Sequence, residues 1–209
     1  MTSLSDDLYS QLQGAPVQQV AQQLGVPPEQ ASGAIGAALP LLLGALGRNA
    51  SQPQGAQALF GALQKDHAGL DIGGVLGSVL GGGGAQGGDI LGHIFGGNQD
   101  RAQTGVAQAT GLGSGQAGQL LKILAPIVMA YLAKRIFSQA PGTPGDNPAQ
   151  QATPQGLGQV LGQEHARVTE QGGIGGDLLG AVLDQDGDGQ VGIGDLMKLA
   201  GGLLGGKTR

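Results

Sequence analysis

Cysteine is absent, which excludes disulfides and thiolate metal sites and leaves redox chemistry silent about the compartment. Tryptophan is absent too, and the aromatic set is two Tyr and three Phe in 209 residues. A core must therefore be filled with Leu, Val, Ile and Ala, without the large area that aromatic rings bury. Charge is also scarce: 12% of residues are Asp, Glu, Lys or Arg, about half the usual share. The net charge of −5 comes from 15 acids against 10 bases. Four of those acids, Asp184, Asp186, Asp188 and Asp195, lie within one short segment. Without them the rest of the chain is close to neutral. That excludes a broad basic surface for nucleic acid or anionic lipid.

No basic stretch followed by an apolar one opens the chain, which begins MTSLSDDLYSQLQ. This is not a signal peptide, and the default compartment is the cytoplasm. The most apolar stretch, GAIGAALPLLLGALG at 33–47, is too short and too rich in Gly and Ala for a membrane span. What the chain has in abundance is glycine: 44 Gly and 10 Pro make up about a quarter of it, the border of low complexity.

The apolar periodicity is helical. Leu4, Leu8 and Leu12 lie one turn apart behind Ser3 or Ser5 as a cap. Val17, Val20, Ala21 and Leu24 follow the i, i+3, i+4, i+7 rule. Gly25 stops that helix and Pro27-Pro28 opens the next. Its apolar face reads Ile35, Ala38, Leu39, Leu42 and Leu46, interrupted by Pro40, where a kink or break is expected. The same block returns 86 residues later without a gap over 27 positions. Val20-Ala21-Gln22 matches Val106-Ala107-Gln108, Gly25 matches Gly111, Gln30-Ala31 matches Gln116-Ala117, and Pro40 matches Pro126. The second face reads Leu121, Leu124, Ala125, Val128 and Leu132. A duplicated helical unit is the reading. Between the copies, Gly81 to Gly84 oppose helix at nearly ~1 kcal/mol each, so a loop is expected between short helices at 72–80 and 88–95.

The blocks VAQQLGVPPEQASGAIGAALPLLLGAL, ILGHIFG at 90–96 and GQAGQLLKILAPIVMAYLAK at 115–134 resemble the bacterial YidB-like family, domain of unknown function 937. The resemblance spans residues 1–137. It implies an all-α fold with no assigned activity, and it carries over no catalytic residue. Residues 138–156, rich in Pro, Gly and Gln, read as a linker. Residues 157–209 read as a helical tail that the linker separates from the module, with a short helix near 157–170.

The tail holds the one constellation with a chemistry. DQDGDGQVGIGD at 184–195 has the spacing of an EF-hand calcium loop, as in dockerin-type loops. Calcium takes six to eight oxygens, supplied here by the carboxylates of Asp184, Asp186 and Asp188 at positions 1, 3 and 5 and the backbone carbonyl of Gln190 at position 7. Gly189 at position 6 permits the sharp turn. Asp195 stands at position 12, where a longer Glu is usual. Its shorter arm predicts weak binding, about 10⁻⁶ to 10⁻³ M. Leu183 and Leu196 bracket the loop.

Other patterns carry less. GGLLGGKT at 201–208 fits the phosphate-loop pattern but has no strand before it and no helix after it. His67, His93 and His165 are far apart, and no Ser, His and Asp grouping has a supporting frame, so catalysis is not expected. Residues 17–39 have helix-turn-helix rhythm, but the second helix offers only Glu29 and Gln30 to read bases. The expectation is an all-α, non-enzymatic calcium-binding protein that associates with itself or a protein partner. A helix-turn-helix-like DNA-associated protein is the alternative.

Overall fold

The apolar periods that begin at Leu4, Val17 and Ile35 close into helices in the computed structural model, which describes residues 3–66, 72–79, 81, 84–137 and 153–171. Nine α-helices and no strand occur among the described residues. Helix α1 runs Leu4–Leu12, with the Ser3 hydroxyl accepting from the Asp6 amide at 3.0 Å as its cap. Helix α2, Ala15–Leu24, buries Val17, Val20, Ala21 and Leu24, the set at helical spacing. Gly25 ends it at φ 67°, a left-handed conformation that favours Gly, and the Val26 amide closes the end on the Ala21 carbonyl at 3.0 Å.

Helix α3 spans Pro28–Ala50 and passes through Pro40 without a break. The expected break does not occur. Proline removes one donor, the partner of the Gly36 carbonyl, at a cost of about 3 kcal/mol in an isolated helix. Burial on nearly every side of α3 offsets that cost: Leu41, Leu42 and Leu43 are all fully enclosed. By length and composition α3 could cross a bilayer, but 72% of its apolar window is covered by the rest of the protein. Helices α4 (Pro53–Asp66), α5 (Ile72–Ser78) and α6 (Gly84–Phe95) follow, then a short 3₁₀ turn at Gly96–Asn98. Helix α6 starts four residues earlier than glycine content suggests. The reason is a close approach: a Cβ at Gly87 would collide with the Lys122 carbonyl oxygen. That carbonyl is the one left without its helical partner by Pro126.

Helices α7 (Gln99–Thr110) and α8 (Ser114–Phe137) complete the region around α3. An offset of 86 residues carries Leu24 onto Thr110, Gly25 onto Gly111, Pro28 onto Ser114 and Pro40 onto Pro126. Gly111 ends α7 at φ 69°, as Gly25 ends α2. The two long helices pack on each other, α2 reaches across to α8, and α7 reaches across to α3. The Gln30 amide donates to the Gly111 carbonyl at 3.2 Å, and the matching Gln116 amide donates to the Leu24 carbonyl at 2.9 Å. Each pair thus caps the carboxyl end of the other pair's short helix. The two apolar faces, Ile35/Leu39/Leu42/Leu46 and Leu121/Leu124/Val128/Leu132, are at most 2% exposed.

Helix α9, Pro154–Gln171, begins within the stretch 138–156 that reads as a linker, and it belongs to this same core. Leu157 and Leu161 are fully buried, and α9 packs along α3 and α4. Contact with α3 is at backbone distance. A Cβ at Gly47 would fall 2.5 Å from the Leu161 carbonyl oxygen and 2.9 Å from the His165 Cβ. The tail up to Gln171 is therefore joined to residues 3–137 and does not stand apart from them.

Gly47→Ala should push α9 off α3, because the obstructing atom is backbone and cannot swing away. A loss of about 1–3 kcal/mol is expected, read by urea unfolding. Gly162→Ala, with open space around its Cβ, should leave stability unchanged or slightly higher. Equal effects of the two substitutions would contradict this packing.

Candidate functional site

The four first-turn amides of a helix have no partner within it. In α1 two of them are satisfied by a side chain from the far end of the fold. The Glu164 carboxylate, 3% exposed, accepts from the Leu4 amide at 3.1 Å, the Ser5 amide at 3.2 Å and the Ser5 hydroxyl at 3.0 Å. The positive end of the α1 dipole also favours a carboxylate there. Glu164 lies on the apolar face formed by Leu157, Leu161 and Val168 of α9. A charged residue at that phase was the available signal, and sequence reasoning passed over it. The arrangement locks α1 to α9; it offers no free group for chemistry.

Helix α1 is tied to α8 as well. The Tyr131 hydroxyl donates to the Asp7 carboxylate at 2.6 Å, and Tyr131 is 3% exposed. Burial raises its pKa above the ordinary phenol value of 10.0, and the hydrogen bond to Asp7 and then the Asp7 charge push it further the same way. On the opposite edge of α1, the Tyr9 and Ser32 hydroxyls lie 2.7 Å apart.

A cavity of about 1000 Å³ opens between α4, α5 and α6, with α3 and α8 beneath it. Leu46, Leu59, Val75, Ile94, Pro126 and Met129 give it apolar walls. Asn49, Gln54, Lys65, Ser78, Asp89 and His93 stand among the lining residues as its polar groups. The Asn49 amide donates to the His93 carbonyl at 3.0 Å, joining α3 to the last turn of α6. Asp89 and His93 are four residues apart on α6, both exposed. Apolar side chains make up most of its walls.

Asp184, Asp186, Asp188, Gln190 and Asp195, the ligands expected from the sequence, lie outside the described residues, as do the phosphate-loop pattern at 201–208 and His67. Among the described residues no three His, Asp or Glu side chains come together as a metal site. His165 places its Nδ1 3.0 Å from the Gly44 carbonyl oxygen, at the α3–α9 contact. Gln30, one of two base-reading candidates of the helix-turn-helix alternative, directs its amide to α7.

Residues 6–135 match the family of bacterial proteins of unknown function DUF937, more than half of the chain, and the chain belongs to that family. No curated protein and no solved structure matches it.

The Tyr131–Asp7 contact gives a pH dependence with a definite sign. The folded-state pKa of Tyr131 is raised, so its contribution is complete below the unfolded value near 10 and is lost as pH rises beyond it. Stability measured by denaturant should fall through the alkaline range. Tyr131→Phe should flatten that fall and remove one late step from the ultraviolet phenolate titration. An alkaline profile unchanged by the substitution would show that the phenol is not held by Asp7.

Proposed function

We propose that this member of the family is a non-enzymatic calcium-binding structural or interaction protein, built on a duplicated helical unit. The observation that carries the calcium reading is the sequence of residues 184–195, DQDGDGQVGIGD. It sets three carboxylates at alternate positions, a glycine at the turn, a backbone ligand at Gln190 and a closing carboxylate at Asp195. Apolar residues precede and follow the loop, as flanking helices require. With Asp195 in place of a longer Glu, the site binds weakly and serves as a structural clip.

Duplication is supported from a second direction. The reciprocal bonds from Gln30 to Gly111 and from Gln116 to Leu24 relate the two helix pairs as halves exchanging the same contact. Two unrelated helical hairpins would have no reason to do so. Each half alone offers an apolar face without aromatic residues, and the second half covers it. Association with a second chain or a protein partner follows the same economy of small and aliphatic surfaces, helped by the low surface charge.

Calorimetry of the full chain with calcium tests the reading. One ion per chain is expected, with a dissociation constant of about 10⁻⁶ to 10⁻³ M, and Asp184→Ala should abolish the heat. No heat at millimolar calcium in the intact protein would overturn it.

A further inference from the structure

Gln54, Ala58, Ala62 and Lys65 line the cavity from one face of α4, at i, i+4, i+8 and i+11. At 1.5 Å a residue that face is about 16 Å long, so the cavity is a trough that follows α4. Leu46 of α3 and Pro126 and Met129 of α8 form its floor, and all three are buried. Concave sites of about 300–1,000 Å³ hold small molecules, and this one, at about 1000 Å³, stands at the upper end of that range. A protein partner would need about 800 Å² of surface from each side.

The lining has no Phe, Tyr or Trp, so it offers no ring on which a flat aromatic guest could stack. Its apolar surface is aliphatic, with the flexible Met129 at the floor. An extended peptide would bury backbone amides and carbonyls along walls that cannot pair them. The Asn49 amide already donates to the His93 carbonyl, and the Ser78 hydroxyl to the Val75 carbonyl at 2.8 Å. A hydrocarbon chain carries no groups of that kind.

Charge sets the direction of such a guest. Lys65 is the only Lys or Arg of the lining, exposed in the last turn of α4 and without an ion pair among the described residues. At the other end of α4, Gly55 approaches Asn49, which bonds the last turn of α6. Asp89 lies one turn before His93 on that helix. Its carboxylate repels an anion at that end, and the Lys65 ammonium attracts one at the other. We propose that the trough binds one free fatty acid, with its chain along α4 over Leu46, Pro126 and Met129 and its carboxylate at Lys65. The inference goes beyond the calcium reading and does not rest on it.

The fluorescent polyene fatty acid cis-parinarate reports binding cleanly, because the chain has no Trp. The delipidated full chain, in chelator, should bind one per chain, and laurate, myristate and palmitate should displace it. Each added methylene should tighten binding roughly threefold to fourfold until the trough is full. Ala62→Phe fills the trough and should weaken binding at least about tenfold, the worth of two displaced methylenes. Ala58→Phe, at an exposed position, should do the same and serves where Ala62→Phe disturbs folding. Ala166→Phe, exposed on α9 and outside the lining, should change nothing. Lys65→Gln should weaken laurate about threefold to fivefold, the scale of an exposed ion pair, and leave dodecanol unaffected. No displacement by any of the three acids below their micellar concentrations overturns the proposal. So does full binding by a folded Ala58→Phe chain, which would place the acid elsewhere. Tighter binding of dodecylamine, lost in Asp89→Asn, would give the trough to a cation. Self-association of the ligand-free chain that Ala58→Phe abolishes would give it to a second copy. Co-sedimentation with phosphatidylglycerol vesicles would give it to a membrane lipid. Each of these three results overturns the free-acid assignment.

Discussion

Everything in this fold follows from how closely its two long helices and their neighbours approach. With no Trp and five other aromatic residues in the chain, apolar area cannot come from a few large rings. It comes from many Leu, Ile, Val and Ala side chains on α3 and α8, enclosed on almost every side. That enclosure demands neighbours at backbone distance, which glycine provides. Gly47 meets the Leu161 carbonyl, and Gly87 meets the carbonyl that Pro126 leaves without a helical donor. High glycine content here therefore marks contacts between helices as well as loops.

Apolar packing alone would fix neither register nor order, and a small number of polar contacts do so. Gln30 and Gln116 hold each short helix to the opposite half. Glu164 holds the first turn of α1 to α9, joining residues 160 apart in sequence. Each bond closes a helix end, where unpaired backbone groups would otherwise be buried at a cost of about 1–3 kcal/mol. Low overall charge makes the few buried polar groups the specific part of the core.

Much of the helix pattern was legible. Gly25, Gly111 and Pro28 mark helix boundaries by backbone chemistry that packing does not alter. The same spacing of Gly111 and Pro126 marked α7 and α8, which end and run as α2 and α3 do. Three features were not legible. An unbroken helix through Pro40 depends on burial from every side, which no local pattern shows. The start of α6 at Gly84 depends on Gly87 meeting a carbonyl on α8. The docking of α9 was hidden because the composition of 138–156 describes a linker and says nothing of the helix that begins within it. Leu157, Leu161 and Val168 carry that information at helical spacing, with Glu164 among them. Asp184 to Asp195, which the spacing reads as a calcium loop, lie outside the described residues.

The central claim is that α3, α8 and α9 form one core. Native-state amide exchange against denaturant tests it most directly. The amides of Leu42, Val128 and Leu161 should converge on one global unfolding free energy. Exchange of Leu161 through a separate, lower-energy opening, with Leu42 and Val128 still protected, would contradict the account.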